Sequence, residues 1–171
     1  KPASEPSRAR IWAFRFITVI CIPACLWGLL EWGLRLGGYG YSIRAIVKHN
    51  LDNRVVYGHN YQFAWQFFPP SMARNFDGFV FDRVKPSGTY RIFILGESAA
   101  MGMPAPAYNF GRILKEMLKD KYPDIHFEVH TAAMVAINSH AVLKIAADCA
   151  RYEPDLFIVY MGNNEVVGPF G

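Results

Sequence analysis

Residues 91–98 read Arg-Ile-Phe-Ile-Leu-Gly-Glu-Ser, an apolar run with branched side chains that ends in glycine and then in polar residues. Residues 155–165 repeat this form as Asp-Leu-Phe-Ile-Val-Tyr-Met-Gly-Asn-Asn-Glu. Apolar runs of this length are typical of buried strands in parallel sheets. Functional groups of such sheets lie at the carboxyl ends of the strands. The two stretches therefore predict an α/β domain with polar residues at one sheet edge.

The chain from residue 89 onward alternates between strand and helix patterns. Apolar strand runs cover 90–95, 125–129 and 156–161, and amphipathic helix patterns cover 108–121 and 139–152. Asn138 or Ser139 is a suitable N-cap for the second helix. The order β-α-β-α-β predicts parallel strands with right-handed crossovers and helices on both faces of the sheet.

Residues 11–36 predict a transmembrane helix. Within 11–30 the only charged residue is Arg15, and Trp12 and Trp32 flank the apolar run as an aromatic belt does. Twenty helical residues span about 30 Å, the thickness of a hydrocarbon core. Residues 1–10 are polar and predict a mobile cytoplasmic tail.

Two alternatives to a permanent anchor remain for this segment: a cleaved signal peptide, and a lipoprotein signal that ends at Cys25. The basic residues of the tail outnumber its single acid, Glu5, and predict a cytoplasmic N-terminus. The protein is therefore expected in an inner or plasma membrane as a single-pass protein that contacts the lipid bilayer. Its C-terminal domain is expected to be periplasmic or extracellular.

Residues 37–88 are expected to form an aromatic-rich juxtamembrane segment. A short helix is predicted over 42–50. Aromatic residues alternate with strand period at Tyr61, Phe63, Trp65 and Phe67. Such a stripe indicates domain core or a membrane-facing surface rather than a ligand site.

Composition excludes several classes of function. The formal net charge is +4, yet the basic residues form no stripe interleaved with aromatic residues, so no nucleic-acid partner is predicted. Cys21, Cys25 and Cys149 have no metal-ligand spacing. No glycine-rich phosphate loop is present, so neither a cofactor nor a metal is expected.

Gly96-Glu97-Ser98 and Gly162-Asn163-Asn164, each after a predicted strand, resemble the SGNH (GDSL-like) hydrolases over residues 85–171. The resemblance implies a partial flavodoxin-like, three-layer parallel domain, with residues 89–171 as the N-terminal part of the SGNH-like fold. It assigns Ser98 as the nucleophile. The oxyanion donors would be the Ser98 N–H, the Asn164 side chain and a backbone N–H within 131–136, with Ala136 as the candidate. Gly162 would form the turn of the oxyanion loop.

The sequence departs from the family pattern in three respects. Ala136 replaces a glycine and would be strained at positive φ. Glu97 and Glu165 replace aspartates, and we expect both to tie loops together. The family's Asp-x-x-His block is missing, and His140 is the best-placed substitute for the base, although a surface or capping role suits it better.

Two hypotheses of function follow. In the first, the chain is part of a membrane-anchored, extracytoplasmic serine ester hydrolase or acyltransferase that acts on an acyl ester, with its His and Asp beyond residue 171. In the second, it is a non-catalytic accessory subunit that reuses the fold in a larger membrane complex, for example photosynthetic or respiratory. The partner complex would then cover the open edge of the sheet.

Overall fold

The computed structural model of the protein describes residues 7–169. The chain divides into two compact units, one ending at Tyr41 and the other beginning at Ser42. Residues 1–6 of the predicted tail lie outside the described residues.

The first unit is a helix that runs from Arg8 to Leu36. It consists of α1 (Arg8–Phe16), a π-helical turn (Ile17–Cys21) and α2 (Ile22–Leu36). The helix begins earlier than the predicted residue 11, because Ser7 acts as its N-cap and accepts a hydrogen bond from the Arg10 N–H. None of its side chains is buried, and its most apolar 18-residue window has a mean hydropathy of 2.0. It is long and apolar enough to cross a membrane, a property that signal sequences share.

The second unit contains the predicted parallel sheet. Its strands are β4 (Thr89–Gly96), β5 (His126–Ala133) and β6 (Leu156–Tyr160), in the order β5-β4-β6. All three predicted strands are confirmed. Strand β5 extends four residues beyond the prediction because it pairs with the whole length of β4, up to Gly96 opposite Ala133.

Helices cover both faces of this sheet, as predicted. They are α3 (Ser98–Met101), α4 (Phe110–Lys121) and α5 (Ser139–Cys149). Ile92 and Ile94 of β4 pack with α3 and α4, whereas Phe93 and Leu95 point to the opposite face and pack with α5. The protein is therefore a mixed α/β structure. It has a parallel sheet with helices on both faces, and an apolar N-terminal helix.

A second, antiparallel sheet precedes the parallel one. It consists of β1 (Ile46–Leu51), β2 (Arg54–His59) and β3 (Val80–Phe81) in sequential order. The predicted helix over 42–50 is therefore wrong. Asp52 and Asn53 both have positive φ, 48° and 62°, which is the two-residue hairpin geometry that joins twisted strands. This turn fixes β1 as a strand.

The aromatic segment after β2 is core, but it is not a strand. Residues Phe63–Gln66 form a 3-10 turn, so the strand period at 61–67 was misleading. Phe63 is fully buried and shares one core with Phe81, Phe93 and Ile145. Because of this shared core, residues 42–88 lie in the same compact unit as the parallel sheet.

Arg91 of β4 is a fully buried cation. Its guanidinium donates to a Glu128 carboxylate oxygen at 2.6 Å and to the carbonyls of Tyr152 at 2.8 Å and Asp82 at 3.1 Å. It also lies 5.0 Å from the centre of the Phe81 ring. Burial of a charge is tolerated only with such partners. The cluster joins both sheets to the segment before β6.

His130 and Arg91 lower the pKa of Glu128 to about 2, against the opposing effect of burial. The His130 ring lies among Phe79, Phe81 and Phe93, and burial lowers its pKa below the ordinary 6.5. In the unfolded chain both groups take up protons at their ordinary pKa values. Both therefore make folding less favourable in acid.

We expect the free energy of unfolding to be undiminished by these two groups above about pH 6.5. It should fall below that value as the unfolded-state histidine becomes charged, and further between 4.5 and about 2 as the unfolded-state glutamate is neutralised. Urea unfolding at pH 7 and pH 5 measures this loss. His130→Gln should reduce the loss, whereas His126→Gln, at an exposed histidine, should leave it unchanged. Equal losses in the two variants would contradict the assignment to His130.

Candidate functional site

The three parallel strands end at the same edge of the sheet. Gly96, the last residue of β4, pairs with Ala133 of β5 and with Tyr160 of β6. The chain passes from β4 to β5 on one side and then crosses to β6 on the other. Such a reversal opens a crevice beyond the carboxyl ends of the strands. The segments that carry Ser98, Ala136 and Asn164 all leave the sheet at this edge.

Gly96 permits the close approach of β4 and β6. A Cβ atom at this position would collide with the Tyr160 carbonyl oxygen and would lie 2.7 Å from the Ala100 Cβ atom. The absence of a side chain thus lets the chain turn from β4 directly into α3. Ser98 is the first residue of α3 and is half-buried.

Glu97 joins the segment after β4 to the segment after β6. Its side chain is fully buried, and its carboxylate accepts backbone N–H groups from Gly162 at 3.2 Å, Asn163 at 3.0 Å and Asn164 at 3.4 Å. Three charge-assisted hydrogen bonds hold the Gly162–Asn164 backbone against Glu97, the residue that directly precedes Ser98. The predicted loop-tying role of Glu97 is confirmed.

Glu165 ties the same loop to the start of α5. Its carboxylate accepts the Ser139 N–H at 3.1 Å and the Ser139 hydroxyl at 2.7 Å. This loop-tying role was also predicted from the sequence. The two glutamates together attach the β6 loop to both neighbouring helices.

The Asn164 side chain is fixed by the loop after β5. Its Nδ2 atom donates to the Ile137 carbonyl oxygen at 3.2 Å. An asparagine amide carries two N–H donors, so this bond orients the group and leaves one donor for a ligand. Gly162, at the turn of the loop, has φ 132°, a conformation that L side chains rarely adopt.

Ala136 occupies the left-handed region with φ 61° and is exposed. The strain expected for an alanine that replaces glycine is therefore present, at a cost of about 1–2 kcal/mol. The residue lies between the end of β5 and the start of α5, at the same sheet edge as Ser98.

Ala136→Gly is expected to raise the free energy of unfolding by about 0.5–1 kcal/mol, because relief of strain exceeds the entropy that glycine adds to the unfolded chain. Urea unfolding measures the change. Ala146→Gly, in the interior of α5, is the matched control and should lower stability by at least about 1 kcal/mol. Destabilisation of similar size in both variants would contradict strain at Ala136.

Asn138 holds the β6 loop in a way that the sequence did not predict. It is the N-cap residue of α5, but its fully buried amide donates to the Pro169 carbonyl at 2.7 Å instead of capping the helix. Gly168 lies against it, and a Cβ atom there would approach the Asn138 Cβ atom to 2.7 Å. The sequence signal for this contact is an asparagine directly before α5 together with a glycine in the loop after β6.

The five histidines lie on different elements of the second unit, and His140 is the one at the carboxyl edge of the parallel sheet. His49 and His59 belong to the antiparallel sheet, where His49 Nε2 lies 2.9 Å from the His59 carbonyl oxygen. His126 begins β5 at the opposite edge, and His130 is partly buried at mid-strand. His140, in the first turn of α5, is the histidine at the carboxyl edge. Its exposed position agrees with the surface role favoured by the sequence.

No group of three or more His, Cys, Asp or Glu side chains suited to a metal ion occurs within residues 7–169. In comparisons with known proteins, no family model, curated protein or solved structure matches the chain significantly.

Proposed function

We propose that the chain forms the nucleophile and oxyanion half of a membrane-anchored serine ester hydrolase or acyltransferase of the SGNH type. The observation that carries the proposal is the meeting of Ser98, Ala136 and Asn164 at one sheet edge, with Glu97 linking two of the three segments. The helix Arg8–Leu36 is the anchor, and the basic N-terminal tail places the α/β unit outside the cytoplasm.

The strand order supports this assignment. If the three parallel strands are numbered by their order in the chain, their spatial order across the sheet is second-first-third. This is the beginning of the flavodoxin-like strand order. Ser98 and Asn164 follow the first and third strands, on either side of the crevice where this order reverses. Ligands of open α/β sheets bind in that crevice.

The proposed chemistry is acyl transfer. The Ser98 oxygen attacks the ester carbonyl carbon, a new C–O bond forms, and the carbonyl π electrons move to the oxygen. The Ser98 and Ala136 N–H groups and the free Asn164 N–H stabilise that oxyanion. Loss of one such donor costs about 2.7–4 kcal/mol of transition-state stabilisation where this has been measured. The carbonyl then re-forms as the ester C–O bond breaks, and the alcohol leaves with the proton that the base took from Ser98. Water or a second alcohol attacks the acyl-serine in the same way, takes the acyl group and releases Ser98, which recovers a proton from the base.

The base that removes the Ser98 proton belongs, in this proposal, to a histidine following residue 171. Glu97 cannot act as the general base, because its carboxylate already accepts three N–H groups. A neutral serine without a base is a poor nucleophile. The proposed activity therefore depends on that histidine.

Turnover of p-nitrophenyl acetate by the whole gene product tests the proposal. Ser98→Ala should reduce the rate to that of buffer, whereas Ser71→Ala, at an exposed serine outside the site, should leave it unchanged. Equal rates for wild type and Ser98→Ala would refute the proposal.

A second candidate, an accessory subunit of a membrane complex, is favoured by the exposed apolar side chains of the edge strand β6. Leu156, Val159 and Tyr160 are 42%, 57% and 54% exposed, and β6 lies at an edge of the sheet as described. An uncovered apolar edge strand attracts another chain. Purification from native membranes distinguishes the candidates, since an accessory subunit should remain in a stoichiometric complex and should show no Ser98-dependent turnover.

A further inference from the structure

A pocket of about 510 Å³ lies in the second unit, away from the Ser98 edge. It is formed by the antiparallel sheet and by the segments that precede β4 and β6. Four of its lining residues are cations: Arg44, Lys48, Arg83 and Arg151. Tyr152 and Arg83 precede the first residues of β6 and β4, so the pocket belongs to the amino edge of the parallel sheet.

The pocket has an excess of positive charge. No acidic side chain lines it among the described residues. The neighbouring Asp148 is mostly buried, and its carboxylate accepts the Ala45 N–H at 2.6 Å and lies 3.8 Å from Arg151. Arg44, Lys48 and Arg83 form no ion pair within residues 7–169. Like charges held around one cavity repel one another unless an anion joins them.

The floor of the pocket is aromatic. Tyr57 and Tyr152 are buried, and their ring centres lie 5.2 Å apart at an angle of 52°. Lys48 of β1 stands opposite Tyr57 of β2 in the sheet, so their side chains share one face. Burial raises the pKa of the Tyr152 hydroxyl, which keeps it protonated and able to donate. The cations thus surround a preformed concave surface with hydroxyl donors.

We propose that this pocket binds a phosphate-bearing ligand. Three of its four cations are arginines, whose planar guanidinium groups bind phosphate oxygens through paired N–H donors. A phosphate group brings the compensating charge that the lining lacks, and the tyrosine rings contact whatever the phosphate carries. Nothing in this site depends on Ser98 or on ester chemistry.

Two sources of the phosphate share this chemistry. One source is an anionic phospholipid headgroup, because Arg44 is only eight residues in the sequence from Leu36, the last residue of α2. A soluble phosphate compound is the other. The experiment below separates them.

The test uses the full chain in uncharged detergent micelles and isothermal titration calorimetry. The ligands are inorganic phosphate, dihexanoyl phosphatidylglycerol and, as a zwitterionic control, dihexanoyl phosphatidylcholine. The pocket variant is Arg44→Gln/Arg83→Gln. The matched control, Arg54→Gln/Arg74→Gln, removes two exposed cations outside the pocket.

We expect saturable binding that weakens at least tenfold in the pocket variant, remains unchanged in the control variant and declines as salt is added. Tighter binding of phosphatidylglycerol than of phosphate identifies a lipid headgroup, and the reverse order identifies a soluble ligand. All four replaced arginines are exposed, so both variants should keep the wild-type melting temperature. Absence of saturable binding by both anions, or equal affinity of the two variants, would overturn the proposal.

Discussion

Arg91→Ala is expected to lower the free energy of unfolding by about 3–5 kcal/mol, the usual cost of removing one partner of a buried ion pair. The Arg91 side chain is fully buried, and its removal deprives the Glu128 carboxylate of its 2.6 Å partner. It also leaves the Tyr152 and Asp82 carbonyls without their donor. Buried acceptors without partners add to the cost. Urea unfolding of the full chain in detergent micelles, followed by circular dichroism, measures the loss.

Arg112→Ala is the matched control for this prediction. Arg112 donates to the Asp77 carboxylate at 2.9 Å, but its side chain is 55% exposed. Exposed ion pairs contribute about 0–1 kcal/mol. A loss in Arg91→Ala no larger than that in Arg112→Ala would show that the buried cluster does not hold the two sheets together.

Glu97→Gln is expected to lower the free energy of unfolding by about 2–4 kcal/mol. The substitution keeps the size of the side chain but removes the charge from three hydrogen bonds, and it turns an amide NH₂ toward at least one backbone N–H. The segment Gly162–Asn164 should then separate from α3. Hydrogen exchange of the amides of residues 162–164 should become faster by at least tenfold.

Glu165→Gln is the control for Glu97→Gln, since Glu165 supports the same loop from an exposed position. We expect it to cost at most about 1 kcal/mol and to leave exchange at 162–164 close to that of the wild type. If Glu97→Gln had equally small effects, Glu97 would not be the residue that holds this edge together.

The parallel sheet could be predicted from the sequence because its strands are largely apolar, and the central strand β4 is buried on both faces. Residues 92–95 and 156–161 are continuous apolar runs, each followed directly by glycine, as is typical of strands in parallel sheets. Helices α4 and α5 followed from their apolar stripes, although α4 starts at Phe110 rather than at 108. Asn109 caps it there and accepts the Arg112 N–H at 2.9 Å.

The antiparallel sheet could not be predicted in the same way, because tertiary contacts override local pattern there. Residues 46–51 include Lys48, His49 and Asn50, so the strand lacks a clear apolar alternation. The sequence signal for this hairpin is the Asp52-Asn53 pair, which forms its turn. The stripe at Tyr61–Phe67 had strand period by coincidence, since Phe63 is buried while Tyr61 is 58% exposed.

The parts of the candidate site were predicted, and so were the supporting roles of Glu97 and Glu165, but the other supporting contacts were not. Ser98, Ala136, Gly162 and Asn164 follow from motifs after strands, and parallel strand ends bring them to one edge. The bonds of Asn138 to Pro169 and of Asn164 to Ile137 join residues 27 or more apart. No local rule specifies such pairs, because they depend on the final path of the β6 loop.

Covalent labelling of Ser98 tests the central claim most directly. A fluorophosphonate forms a stable bond only with a serine that is activated and placed beside oxyanion donors. We expect mass spectrometry of the labelled whole gene product to place the adduct on Ser98, and Ser98→Ala to abolish it. A folded protein with Ser98 unmodified, or with an adduct no more frequent there than on the exposed Ser71, would contradict the account.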